Sequence, residues 1–151
     1  KQFIAKDNLL SDQSLAKDFG NGVLEVVNFS GNNFTQFPYQ LLEMHAVREI
    51  YLGSNEVKVL PRSYEKLEKL EILYLGGNKI KTVPNELAQL KSLTSLNLSD
   101  NLLTLLPVSL ANLKKLRTLA LNGNGLTTLP IELVKLNLRE LSLRNNPLVN
   151  R

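Results

Sequence analysis

Seven asparagines, Asn8, Asn32, Asn55, Asn78, Asn101, Asn124 and Asn146, recur along the 151 residues at steps of 24, 23, 23, 23, 23 and 22. Apolar residues surround them at constant offsets. Leu70, Leu73, Leu75, Asn78, Ile80, Val83 and Pro84 form the pattern L-x-x-L-x-L-x-x-N-x-L-x-x-L-P. Val47, Ile50, Leu52, Val57, Leu60 and Pro61 repeat it around Asn55, and Leu116, Leu119, Leu121, Leu126, Leu129 and Pro130 around Asn124. Leu73-Tyr74-Leu75 alternates in and out, the period of a strand. One strand this short cannot bury its own apolar face, so it needs copies of itself on both sides.

Period and pattern together resemble the leucine-rich repeat family. The L-P-x-x-L-x-x-L step resembles the 23-residue intracellular class found in Ras-pathway scaffolds and polarity proteins. The expected fold is α/β: a leucine-rich repeat solenoid, a curved horseshoe with a parallel concave sheet and short 3₁₀ or helical turns on the convex side. Within Asn85-Glu86-Leu87-Ala88-Gln89-Leu90, Leu87 and Leu90, followed by Leu93, point inward at three-residue spacing, which favours a 3₁₀-like segment. Pro84 suits its first turn, where a missing N–H leaves nothing unpaired. The asparagines are expected to be structural. Each offers donors and an acceptor to turn backbone that the stacked strands bury.

The resemblance implies a non-catalytic protein-binding array with a scaffold or signalling role. Ile4–Asn8, Leu73–Asn78, Leu126–Pro130 and Glu140–Arg151 resemble most closely a member of the class that presents substrates to a ubiquitin ligase, which supplies an alternative function.

One domain of about seven repeats, residues 1–151, is expected. Neither end carries a polar cap, so the natural protein is expected to extend at one or both ends. The chain lacks cysteine, whereas extracellular arrays of this family carry disulfide-bonded caps, so a cytoplasmic setting is expected. No apolar run approaches membrane-spanning length, and no membrane partner is expected. The N-x-S/T patterns at Asn28, Asn33 and Asn97 read as coincidences of the repeat. Net charge is +4, from 18 basic and 14 acidic residues. That is modest, and it ranks nucleic acid below protein as a partner.

Along the chain, Phe3, Ala5 and Asn8 match a partial repeat. Leu15, Ala16 and Phe19 predict a short irregular helix between Ser11 and Gly22, ended by Gly20 and Gly22. Tyr64 replaces a convex leucine and is expected to be buried with its hydroxyl reaching water.

Partner binding is expected on the concave face, where outward positions flank each inward residue. Val26, Asn28, Glu49, Tyr51, Ile72, Tyr74 and Asn97 are the expected binding residues. Tyr51, Ile72 and Tyr74 form an apolar patch, with Gly53 and Gly76 beside it leaving space for a partner. The competing structural reading is that Tyr and Ile simply favour strands, and that the rings stack. A secondary basic patch is expected at Arg117, Arg139 and Arg144. No enzyme is expected: the single histidine, His45, has no evident partner, and no cofactor or metal is called for. Gly76-Gly77-Asn78-Lys79 lacks the spacing of a phosphate loop. A monomer is expected.

Overall fold

The computed structural model describes residues 1–20 and 22–149. Seven three-residue strands follow one another along the chain: β1 (Gln2–Ile4), β2 (Val26–Asn28), β3 (Glu49–Tyr51), β4 (Ile72–Tyr74), β5 (Ser95–Asn97), β6 (Thr118–Ala120) and β7 (Glu140–Ser142). They form one open parallel sheet in sequence order, with β1 and β7 as its edges. The register advances by one repeat at each step. Phe3, Val27, Ile50, Leu73, Leu96, Leu119 and Leu141 line up as the central inward column. From Val27 to Leu119 this column is fully buried, whereas Phe3 at 38% and Leu141 at 43% exposure lie on the edge strands.

The asparagines join each turn to the one before it. Asn78 shows the pattern. Its Oδ1 accepts the Val57 N–H at 3.0 Å, and its Nδ2 donates to the Leu52 carbonyl at 3.0 Å and to its own turn's Leu75 carbonyl at 2.9 Å. Asn55, Asn101, Asn124 and Asn146 make the same three contacts one repeat apart. Asn32 does so toward Leu10, Ala5 and Phe29. Asn8 bonds only the Ala5 and Lys6 carbonyls of its own turn.

The residue before each asparagine takes a left-handed backbone conformation: Asp7, Gly31, Ser54, Gly77, Asp100, Gly123 and Asn145, with φ between 52° and 72°. These are residue types that tolerate this conformation. The residues also pair across repeats. A Cβ on Gly31 would overlap the Asp7 carboxylate, and one on Gly123 the Asp100 carboxylate. The acidic side chain of one turn therefore lies over the glycine of the next.

On the opposite side, four 3₁₀ segments cross between strands: η1 (Tyr39–Glu43), η2 (Asn85–Gln89), η3 (Val108–Asn112) and η4 (Ile131–Lys135). Each is preceded by a proline in extended conformation, so Pro84 stands one residue before the turn it was expected to open. The proline carbonyls accept the N–H groups of Leu41, Leu87, Leu110 and Leu133. Leu87, Leu90 and Leu93 are fully buried, as their spacing predicts.

The segment after Pro61 forms no such turn. At the equivalent position the Tyr64 N–H donates instead to Gln89 Oε1 at 2.8 Å. Tyr64 is 1% exposed, and its hydroxyl has no hydrogen-bond partner. This corrects the expectation that the hydroxyl reaches water. Burial, reinforced by the Glu86 carboxylate, pushes the phenol above its ordinary range.

The helix expected between Ser11 and Gly22 is also absent. Described residues there form separate turns, closed by Ser14 N–H to Ser11 O and Phe19 N–H to Ala16 O. Tertiary contacts override the near-helical spacing. Phe19 stacks edge-on against Phe3, ring centroids 4.9 Å apart, and lies 5.7 Å from Phe29. Asp12 Oδ1 accepts the N–H groups of Thr35 at 2.9 Å and Gln36 at 3.1 Å. Burial opposes the Asp12 charge, but the bonds from Thr35 and Gln36 outweigh it and hold the carboxyl below its usual range. Gly20 and Gly22 are left-handed, as turn-ending glycines should be.

Two predictions follow from the ladder and the left-handed turns. Asn78→Ala orphans one buried N–H and two carbonyl contacts, so urea denaturation should show a loss of at least about 1–3 kcal/mol, while Asn8→Ala, at an exposed edge, should be nearly neutral. Gly123→Ala should cost roughly 1–2 kcal/mol for its left-handed backbone alone and more through overlap with Asp100. Asp100→Ala carries its own left-handed cost but removes the overlap, so the loss in Gly123→Ala/Asp100→Ala should be smaller than the sum of the two single losses, a coupling that a double-mutant cycle measures.

Candidate functional site

The strand register places the expected binding residues on one sheet face. Val26, Glu49, Ile72 and Ser95 form one outward column, and Asn28, Tyr51, Tyr74 and Asn97 another. Tyr51 and Tyr74 are direct neighbours, ring centroids 6.3 Å apart and planes tilted by 36°. Tyr74 is 39% exposed, while Val26, Tyr51 and Ile72 are half-buried. The seven residues are thus gathered as one strip across β2 to β5.

The tyrosines are held in place. Tyr51 Oη donates to Glu49 Oε1 at 2.6 Å across its own strand. Burial, then the hydrogen bond and charge of Glu49, raise the Tyr51 phenol from 10.0 to about 12. Gly53 and Gly76, both buried, do not leave open space as expected. A Cβ on Gly53 would come 2.7 Å from the Tyr74 ring, and one on Gly76 would come 2.8 Å from Ser99 Oγ. The room made by Gly53 is filled by the Tyr74 ring itself.

Asn28 and Asn97 have a second role in the backbone. Asn28 Oδ1 accepts the Ser30 N–H at 3.0 Å. Asn97 Oδ1 accepts the Ser99 N–H at 2.9 Å and the Ser99 hydroxyl at 2.6 Å. Both oxygens are engaged in local turns, which leaves their amide N–H groups for other contacts.

The three expected basic residues lie around β6 and β7. Arg117 and Arg139 precede neighbouring strands, and the Arg139 N–H donates to the Arg117 carbonyl. Arg144 follows β7, two residues after its end, and its carbonyl accepts the Gly123 N–H at 2.8 Å. The Arg117 guanidinium turns back onto the Lys114 and Leu116 carbonyls at 3.2 and 2.9 Å.

A charge ladder that the sequence reading overlooked occupies the column just before the strands. Arg48 lies 3.9 Å from Glu25 and 2.8 Å from Glu71. Its signal was available, because Glu25, Arg48 and Glu71 alternate in sign at the repeat period. Lys66–Glu43 and Lys79–Glu56 follow the same spacing. These pairs are solvent-exposed and individually contribute little to stability.

Among the described residues, no group of three or more His, Cys, Asp or Glu side chains could hold a metal ion. Among the same described residues, no helix is long and apolar enough to cross a membrane. His45 is exposed, at the turn after η1.

The family model described as leucine rich repeat matches residues 45–103. A solved leucine-rich repeat protein of Leptospira interrogans aligns with a TM-score of 0.71 and 32% identity, over 99% of this chain and 44% of that one. The chain thus spans less than half the length of that protein. Comparison with curated proteins gives no match. The seven-stranded sheet and its 3₁₀ turns form a leucine-rich repeat solenoid, and both similarities support that family.

The Tyr51–Glu49 bond generates a titration prediction. A phenol raised from 10.0 to about 12 stabilises the fold fully below pH 10, and this contribution is lost as pH rises toward 12. Glu49→Gln removes the charge beside it. Ultraviolet titration should then show one tyrosine ionising at lower pH than in the native protein.

Proposed function

We propose that this leucine-rich repeat array is a non-catalytic module that binds a protein partner on its sheet face, in a scaffold or signalling role. The observation that carries the reading is the fixed pair Tyr51 and Tyr74 beside Ile72. Tyrosines already held by Glu49, Gly53 and Gly76 lose little side-chain freedom on binding. They offer ring area and a hydroxyl together, the combination enriched at interface hot spots. Val26, Glu49, Asn28 and Asn97 extend the strip on both sides. An intracellular, cytoplasmic setting and a monomeric state belong to the same proposal, the setting through the resemblance to the intracellular repeat class. Nucleic acid ranks below protein, because a net charge of +4 is modest.

A second reading rests on resemblance. Ile4–Asn8, Leu73–Asn78, Leu126–Pro130 and Glu140–Arg151 resemble leucine-rich repeat-containing protein 58, which implies substrate recognition for a ubiquitin ligase. The sheet face would then hold the substrate.

Both readings share one test. Affinity capture with the native chain and with Tyr51→Ala/Tyr74→Ala should yield a partner that the double variant loses by about tenfold or more in affinity. Equal retention of every partner by the variant would remove the tyrosine strip from the binding site. Co-capture of a cullin adaptor with the full-length protein would favour the ligase reading.

A further inference from the structure

A second surface lies away from the sheet face, on the flank running from the asparagine turns into η3 and η4. Leu102 is 49% exposed, Leu105 68%, Val108 58% and Ile131 75%. Leu102, Leu105 and Val108 belong to an internal repeat, with neighbouring repeats packed on both sides. Their exposure is therefore a property of the flank and not of an array edge. Val108 and Ile131 occupy the same position, directly after the prolines, on adjacent segments. Exposed Thr104, Thr127 and Thr128 fill the intervening positions.

The flank is also free of charge. No charged residue occurs between Leu102 and Leu113, or between Thr118 and Ile131. The same flank of the two preceding repeats carries Glu56, Lys58, Arg62, Lys79, Lys81 and Glu86. The repeat requires no apolar residue at the positions of Leu102 and Val108, where the two preceding repeats carry Lys79 and Glu56, and Asn85 and Arg62; at the position of Leu105 they carry Thr82 and Val59.

At the other ends of η3 and η4 stand Lys114, Lys115 and Lys135, all exposed. Every ion pair among the described residues lies between residues 1 and 79. From residue 102 to 149 there are six basic residues against Glu132 and Glu140, and among the described residues none of the eight has an ion-pair partner. Only Glu132 is acidic on the two segments. Five residues of 3₁₀ structure at about 2 Å each separate the apolar end from the lysines by roughly 10 Å, close to the width of an α-helix with its side chains, about 10–12 Å.

We propose that this flank is a second protein-docking surface. It takes an amphipathic helix whose apolar side rests on Leu105, Val108 and Ile131 and whose carboxylates face Lys114, Lys115 and Lys135. Charge complementarity selects this occupant. A second copy of the chain would bring the same uncompensated lysines against these. This surface is independent of the tyrosine strip.

The test is selection from a displayed library of short helical peptides, with the intact chain as target. Selected peptides should combine an apolar stripe with an acidic one. Val108→Ser/Ile131→Ser should weaken them at least about tenfold, and Lys114→Glu/Lys115→Glu should weaken them similarly. Tyr51→Ala/Tyr74→Ala should leave them unchanged. The altered apolar positions are more than half exposed, and urea unfolding verifies that each variant remains folded. Selected peptides without acidic excess, or equal binding by Val108→Ser/Ile131→Ser, would overturn the proposal. So would concentration-dependent dimerisation abolished by that variant. Vesicles of phosphatidylcholine with phosphatidylserine provide the last arm: flank-dependent vesicle binding without peptide binding identifies a lipid surface and rejects the helix.

Discussion

The asparagine side chain that bridges adjacent turns is the contact on which the rest depends. A three-residue strand makes few backbone hydrogen bonds, and the tight turn after it leaves N–H and C=O groups inside the protein. Asn78 serves three of them at once, two in the preceding turn and one in its own. The same geometry recurs from Asn32 to Asn146, so each repeat is coupled chiefly to its neighbour. This is the nearest-neighbour stabilisation of a solenoid. A shift of register by one residue would break these contacts and turn every inward leucine outward.

The ladder also determines what the sheet can display. For the amide to reach back, the residue before it must be left-handed, which restricts that position to Gly, Asp, Asn or Ser here. The strand before that turn then shows two outward residues around one inward one. Tyr74 lies between the strands' neighbouring turns because Gly53 leaves no Cβ beneath its ring. The side opposite the sheet obeys a different constraint. Leucines at three-residue spacing fill the interior, and the residue after each proline faces solvent, free to be Asn85 in one repeat and Val108 in the next.

Much of the architecture was legible because the period is nearly constant. The strand columns follow from asparagine positions alone, and Val26, Glu49 and Ile72 align as their spacing requires. What misled the sequence reading was local. Leu15, Ala16 and Phe19 carry helical spacing, yet Phe19 is drawn onto Phe3 and Phe29 while Asp12 binds the next turn. Tyr64 replaces a leucine that has no polar atom, and the close-packed interior offers its hydroxyl neither partner nor water. Gly53 signals room beneath a ring as readily as room for a partner.

The sequence by itself determined the repeat, the strand register, the inward leucines and the identity of the bridging asparagines. These are periodic, and periodicity translates directly into one face, one turn and one neighbour. Tertiary structure alone decided which outward side chains are held and which are free. Tyr51 is tied to Glu49 and Tyr74 rests over glycines, whereas Leu105, Val108 and Ile131 remain exposed. That distinction depends on contacts between repeats, where the side chains are not periodic and small differences in size and charge settle the packing.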